Sequence, residues 1–527
     1  MRKKKSLSSE YACCFLGKTT LSITEMVKID GVNALTYGIL DAGVGVATGV
    51  IGYPISEIID NLKPIWISTA NEKVALDLAL GASASGTSSV FIAKHVGLNV
   101  AADSLITAAT HGVGAGLVII AGDDPGAKLS QNEQDSRYYG KLAEIPVFEP
   151  HSARNAYDCA LRAFKLSEQL SVPVIMRVTS RLLNTEGYVE RVPFESLPDK
   201  RIGKSVWNLT LLGRHQDLLK NKYPKMLEFA ETTELNEENG TGVIGIISTG
   251  FASTVVDDAI ERRSEVAHLK LAIVNPLCQR RVDSFLKDHD RVLVIEEGAP
   301  LVEESIRGKV LGKLSGHLPR FGELTLDDVN RALNYVDADC ISTQFEVETL
   351  ESRHYKAEIC EDCPFLPFYH ALAKIDEMIA GDMGCIIRSA SPPLNVIDVA
   401  YSLGSAIGVA SGFENGGIAV LGDFAFLHSG VVALISALVF KRNVKVFVLE
   451  NRISAITGGQ QTPVVSDLVG ALCRNYGISY KIVNAIEMAE ESFENLLRTT
   501  KNSKGAFVVV VRASCPKYSK PSQNAHA

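Results

Sequence analysis

Two side chains at the ends of apolar runs are spaced to share a metal ion. Gly422-Asp423 closes the run Ile418-Ala-Val-Leu-Gly422, and Asn451 follows the next run, Val444-Lys-Val-Phe-Val-Leu449, 28 positions after the aspartate. If those runs are neighbouring strands, a carboxylate and an amide oxygen can meet on one octahedral magnesium ion. A carbonyl from the following loop, at Ile453, and two diphosphate oxygens would complete its shell. Strand C-termini are also where α/β sheets bind ligands. A Gly-Asp pair alone is a common turn; the asparagine at this distance, between two buried strands, makes the pair a candidate site. A second set is sulfur. Cys360 and Cys363 form a Cys-x-x-Cys pair, Cys385 follows 22 residues later, and Cys515 precedes Pro516. Such a pair suits zinc, a redox dithiol or no ligand at all. Cys13, Cys14, Cys159, Cys278, Cys340 and Cys473 show no ligand grouping, and Cys159 and Cys473 fall in helix-like text as small core residues.

These groups need a scaffold, and the chain has the material for several. Its 527 residues exceed what one hydrophobic core serves, so two to four domains are expected. With 46% apolar residues, 22% charged residues and 42 glycines, the composition fits a soluble α/β enzyme, whose buried parallel strands read as unbroken Val/Ile/Leu runs. From Gly31 to about Arg181, helix-like stretches alternate with runs such as Gly116–Ala121 and Val172–Val178, the rhythm of a doubly wound parallel sheet. Residues 1–28 read as a tail and 29–197 as a first domain. The charged stretch 198–240 reads as a connector with one helix. A smaller α/β domain spans 241–350, with strands at Val243–Ser248, Leu269–Val274 and Arg291–Glu296, and a last domain spans 351–527. Sixty-one acidic against 53 basic residues give a charge of -8, which argues against a general nucleic-acid binder. The basic Met1–Lys5 run lacks the apolar segment of a signal peptide, and no window approaches the ~20 apolar residues of a membrane span. A cytoplasmic enzyme with a small-molecule substrate is expected.

Longer motifs carry a resemblance. Gly422-Asp-Phe-Ala-Phe-Leu-His-Ser-Gly430 and Leu449-Glu-Asn-Arg-Ile-Ser-Ala-Ile-Thr-Gly458 resemble the metal-binding loops of indolepyruvate ferredoxin oxidoreductase large subunits. Gly381-Asp-Met-Gly-Cys385 with Ser391-Pro-Pro-Leu394, Lys94-His-Val-Gly-Leu-Asn-Val-Ala-Ala102, and Asp123-Asp-Pro-Gly126 with Ser130-Gln-Asn-Glu-Gln-Asp135 are similar to that family's text, in its order, from about Gly31 to Pro516. The resemblance implies a pyrimidine-binding domain first, a transketolase-C-like domain in the middle and a diphosphate-binding domain last, with thiamin diphosphate and Mg2+ as cofactors. Thiamin chemistry needs a carboxylate at the pyrimidine ring to promote loss of the thiazolium proton. Glu72, in Asn71-Glu-Lys-Val-Ala75, stands where the family carries that acid; taken alone it is an ordinary first-turn glutamate. His95 is implied as catalytic. Tyr53, Asn99, Gly422, Phe424 and His428 are implied, with Asp423, Asn451 and Ile453, as cofactor-binding. In related enzymes a Cys-x-x-Cys pair, a Gly-x-Gly-Cys and a late cysteine hold a 4Fe-4S cluster, so Cys360, Cys363, Cys385 and Cys515 become its implied ligands.

The activity implied is oxidative decarboxylation of a 2-oxoacid, indolepyruvate or another aryl pyruvate, to an acyl-coenzyme A. A smaller catalytic subunit is implied as partner in a heteromer and dimer. Family large subunits commonly carry a ferredoxin-like domain with two Cys-x-x-Cys-x-x-Cys-x-x-x-Cys-Pro runs; this sequence has none, so ferredoxin or another external carrier is expected to collect the electrons. Two departures bear on that activity. Ile51-Gly-Tyr-Pro54 stands where the family has Pro-Gly-Thr-Pro, so Tyr53 replaces a threonine expected near the substrate. Cys360-Glu-Asp-Cys-Pro-Phe-Leu366 replaces Cys-Pro-Gly-Cys-Pro-His-Arg and adds two acids. Both favour the alternative that remains open, a non-oxidative thiamin decarboxylase or carboligase; a third reading is a catalytically silent scaffold subunit, against which Glu72, Asp423 and Asn451 argue.

Overall fold

The structure, a computed structural model, describes residues 26–192, 200–341 and 359–519. The tail expected over 1–28 therefore lies, up to residue 25, outside the described residues, and so do Cys13 and Cys14. The chain divides into two units. One holds residues 26–48, 57–67, 76–192 and 200–341; the other joins the short segments Gly49–Ser56 and Ser68–Ala75 to residues 359–519.

The first unit carries the doubly wound sheet expected from the rhythm of the sequence. Seven strands run in the order Ile273–Asn275, Val147–Phe148, Val174–Thr179, Leu117–Asp123, Ser89–Lys94, Val46–Gly49 and Trp66–Ser68. The pairings from Ser89–Lys94 through Val147–Phe148 are parallel, and Ile273–Asn275 closes the edge antiparallel. The central strands are largely apolar, with Arg177 the buried exception in Val174–Thr179. A second sheet orders Arg291–Ile295, Ile244–Thr249, Val266–Leu271 and Glu237–Asn239, the last antiparallel.

One expectation changes here. The run Leu269–Val274, taken as one strand, is cut in two, and its halves join different sheets. The buried Asn236 side chain does the cutting: its Oδ1 accepts the N–H groups of Ala272 and Ile273 at 2.8 and 3.1 Å, removing them from any ladder. The stretch read as a connector with one helix holds a helical run from Leu211 to Thr232, interrupted by a π turn, and also the short strand Glu237–Asn239.

Buried ions tie the strand ends of this unit together. Arg137 and Arg177 are almost completely buried. Arg137 donates to Glu296 at 2.8 Å, Glu149 at 3.2 Å and Asp135 at 2.9 Å, and to the carbonyls of Glu297 and Ala299. Arg177 donates to Asp123 at 2.6 Å and also pairs with Glu149. Burial pushes the Glu296 carboxyl up, while Arg137 and the N–H groups of Glu303 and Val302 pull it back. A cation removed from such a network leaves several carboxylates uncompensated, which costs about 3–5 kcal/mol. Arg137→Ala is therefore expected to lower the calorimetric unfolding temperature of the first unit by several degrees, with Arg137→Lys intermediate; an unshifted transition would mean the network contributes nothing.

The second unit is built on five strands in the order Ile379–Ala380, Gly417–Gly422, Val444–Glu450, Phe507–Arg512, Ser479–Asn484, all parallel. Alternation sorts its side chains onto two cores. Ile418, Val420, Phe447, Leu449, Val509 and Val511 face one helical layer, while Ala419, Leu421, Val446, Val448, Val508 and Val510 face the other. A register in which Gly422 stands opposite Leu449 brings the two strand ends level.

Candidate functional site

Because the strands are parallel, their C-termini emerge on one edge, and the polar residues that follow them emerge together. Asp423 follows Gly422 directly, Asn451 follows Glu450 directly, and Asp382 comes two residues after Ala380. Asp423 is 3% exposed; its Oδ2 accepts the N–H groups of Asn451 at 3.1 Å and Arg452 at 2.6 Å, and its Oδ1 accepts that of Phe424 at 2.8 Å. Asn451 Oδ1 accepts the Ile453 N–H at 3.0 Å. Asn451 and Ile453 thus stand on one turn, and Asp423 is hydrogen-bonded to it. Burial raises the Asp423 carboxyl above its ordinary value, with the Arg452 N–H opposing the shift. A cation at the carboxylate would remove that penalty. A Cβ added at Gly422 would meet no atom within 4 Å, so the space beside this strand end is open.

Asp382 was not singled out by sequence reasoning. It is fully buried, accepts N–H groups from Gly404 at 2.8 Å, Ala406 at 3.2 Å and Met383 at 2.9 Å, and burial pushes its carboxyl up to about 6. His428 bears on its charge. The signal was present in Gly381-Asp-Met-Gly-Cys385, an acid just past a short apolar run.

The segments 49–56 and 68–75 bring Tyr53 and Glu72 into the second unit. Asn71 caps the helix Glu72–Ala84, its Oδ1 accepting the Val74 N–H at 3.0 Å. Glu72 opens that helix, is 5% exposed, and lies 2.6 Å from His428 Nε2. His428 sits in the π-helical turn Phe426–Gly430, with the Phe424 ring 6.3 Å from its own. Glu72, Asp423, Phe424, His428, Asn451 and Ile453 therefore belong to one unit. His95 and Asn99 belong to the first. There His95 Nε2 lies 3.1 Å from the Asn132 carbonyl, burial holds its imidazole below the usual pKa, and Asn99 bonds Gln134 and Tyr139 at 3.0 and 2.6 Å.

The four cysteines all lie in the second unit. Cys363 N–H donates to the Cys360 carbonyl at 2.9 Å, Cys385 opens a 3-10 turn, and Tyr518 N–H donates to the Cys515 carbonyl at 3.2 Å. Cys360 is exposed and the others are partly buried. Burial pushes the Cys363 thiol up to about 11, and Cys385, Cys360 and Cys515 are near enough to add to that shift. Among the described residues, no three His, Cys, Asp or Glu side chains form a group that could hold a metal ion as they stand. No helix among them is long and apolar enough to cross a membrane.

Comparison with known proteins gives two family matches. Residues 50–205 match the thiamin-diphosphate-binding region of pyruvate flavodoxin/ferredoxin oxidoreductases, and residues 382–511 match the C-terminal binding domain of thiamine pyrophosphate enzymes. The chain is 30% identical to indolepyruvate oxidoreductase subunit IorA of Archaeoglobus fulgidus, over 93% of this chain and 86% of that protein. It is 34% identical to the protein of the same name from Methanothermobacter thermautotrophicus, over 82% and 76%. Among solved structures, 2-oxoglutarate:ferredoxin oxidoreductase from Magnetococcus marinus superposes with a TM-score of 0.50 at 15% identity, over 60% of this chain and 66% of that one, a likeness of fold.

The turn holding His428 depends on a close approach. Gly404 has φ +83°, and a Cβ there would come within 2.7 Å of Ser429 Cβ and 2.9 Å of the Ala425 carbonyl. Gly404→Ala is expected to cost about 1–3 kcal/mol locally. Hydrogen-exchange mass spectrometry should then show faster exchange over residues 423–430, whereas an unchanged pattern would contradict the packing described.

Proposed function

The chain belongs to the indolepyruvate oxidoreductase IorA family of thiamin-diphosphate-dependent 2-oxoacid:ferredoxin oxidoreductases, and from that premise we propose that it converts an aryl 2-oxoacid such as indolepyruvate to the acyl-coenzyme A by oxidative decarboxylation, with electrons leaving through a 4Fe-4S cluster to ferredoxin or a similar carrier. The observation that carries this is the folding of segment 68–75 into the second unit, which sets a buried glutamate against the turn that follows the Asp423 strand end.

Thiamin diphosphate, when bound, supplies the carbon nucleophile for the keto group and the electron sink for decarboxylation. The chain's residues bind, orient and move protons around it. Asp423 and Asn451 side-chain oxygens, with the Ile453 carbonyl, would hold Mg2+; a carboxylate, an amide and a carbonyl suit a hard cation that keeps diphosphate oxygens in its shell. Such a set needs no cluster of acids. Gly422 would leave room for the diphosphate, Phe424 and His428 would line the cofactor cleft, and Glu72 would handle the proton at the pyrimidine ring. His95, as a catalytic group, and Tyr53 and Asn99, as substrate or cofactor contacts, are assigned on resemblance alone.

Cys360, Cys363, Cys385 and Cys515 fit a thiolate-held cluster in type and in mutual influence. Thiolates suit iron–sulfur clusters as well as zinc, and a cluster there would take up electrons one at a time. The relatives are named as subunits, which supports a partner subunit in a heteromeric assembly.

Calorimetry of the anaerobically purified protein should show Mg2+-dependent binding of thiamin diphosphate, weakened about tenfold or more by Asp423→Ala. Iron analysis should find about four irons per chain, lost in Cys385→Ser. Absence of binding would sink the proposal; an iron-free protein that still binds the cofactor would move it to non-oxidative decarboxylation or carboligation.

A further inference from the structure

Glu72 does not stand alone at the head of its helix. Its Oε2 lies 2.6 Å from His428 Nε2, the Asn71 side-chain N–H donates to the His428 carbonyl at 2.8 Å, and His428 Nδ1 lies 2.8 Å from Ser429 Oγ. Two consecutive residues of one segment thus grip a single residue 356 and 357 positions away. The same Asn71 amide caps the helix through its oxygen, so helix start and turn are fixed by one side chain. Glu72 and His428 are both buried, at 5% and 4% exposure.

A carboxylate oxygen accepts from the Nε2–H of the ring, and the Ser429 hydroxyl beside Nδ1 is the group placed to orient the imidazole. The wide turn Phe426–Gly430 matters because a π turn accommodates an extra residue and displaces the side chains around it, a feature that recurs at functional sites.

We propose that His428 is a positioning residue for Glu72. Its imidazole, oriented by Ser429, holds one oxygen of the buried carboxylate and leaves the other oxygen to meet the ring nitrogen of an aminopyrimidine. This rests on Glu72 being the activating carboxylate. Removing the donor would leave a buried polar group unsatisfied, so on this reading the contact is kept when the cofactor binds rather than exchanged for it.

The test uses full-length protein, thiamin diphosphate and magnesium chloride, with affinity by calorimetry and the near-ultraviolet circular dichroism of the bound cofactor followed against pH. His428→Ala is expected to weaken binding about tenfold or more and to shift the pH at which the cofactor's dichroic band changes. His428→Gln, which keeps an N–H donor, should recover most of both. Glu72→Gln should abolish the band's pH response, and adding His428→Ala to it should cost little more, since the two act as one unit. Equal or tighter binding by His428→Ala, or full additivity with Glu72→Gln, would overturn the proposal and make the imidazole a placeholder that the cofactor evicts. A Glu72→Gln protein with unaltered affinity and spectrum would instead remove Glu72 from the chemistry, and the inference would fall with it.

Discussion

A carboxylate buried at the end of a parallel strand has to be answered by hydrogen-bond donors or a cation, and the second unit is organised around three such answers. Asp382 is met by three backbone N–H groups, Glu450 by those of Val465 and Ser466 and by Arg512, and Asp423 by those of Asn451 and Arg452. The donors come from loops that have to curl back over the sheet edge to reach them. The loops are thereby fixed, and the open space beside Gly422 lies among fixed groups. Asp423 remains the carboxylate with the clearest use for a metal, since an amide oxygen and a loop carbonyl belong to the same turn.

The same demand explains why the short segment Ser68–Ala75 folds with residues more than three hundred positions later. Glu72 is buried and its donor is His428; Asn71 supplies the second link. In the first unit the demand is met differently, by arginines. Arg137 and Arg177 gather carboxylates from the ends of several strands. Buried charge thus ties strand ends together through arginines in the first unit and is held mainly by backbone donors in the second.

Much of this was legible in the sequence because it is local. The apolar runs around Gly422 and Leu449 read as neighbouring strands, and the Asp423 and Asn451 spacing follows from strand–helix–strand geometry. The parallel α/β class follows from the same runs. What was not legible depends on contacts that no local pattern records. No spacing rule pairs Glu72 with His428, and nothing in Leu269–Val274 announces that the Asn236 side chain will split it between two sheets. Asp382 lay in plain sight after a run only two residues long, too short to read as a strand. Arg177, inside the apolar run Val174–Thr179, carried a usable signal: a charge in a buried strand needs partners, and it has them.

The central claim is that the edge after Gly422 and Glu450 holds a metal ion together with a diphosphate. Manganese in place of magnesium makes this directly visible, because pulsed electron paramagnetic resonance detects phosphorus nuclei bound through oxygen to the ion. The expected result is strong phosphorus coupling from protein-bound Mn2+ in the presence of thiamin diphosphate, lost in Asp423→Ala. Manganese that binds without phosphorus coupling, or coupling that survives Asp423→Ala, would contradict the assignment of this strand edge as the cofactor site.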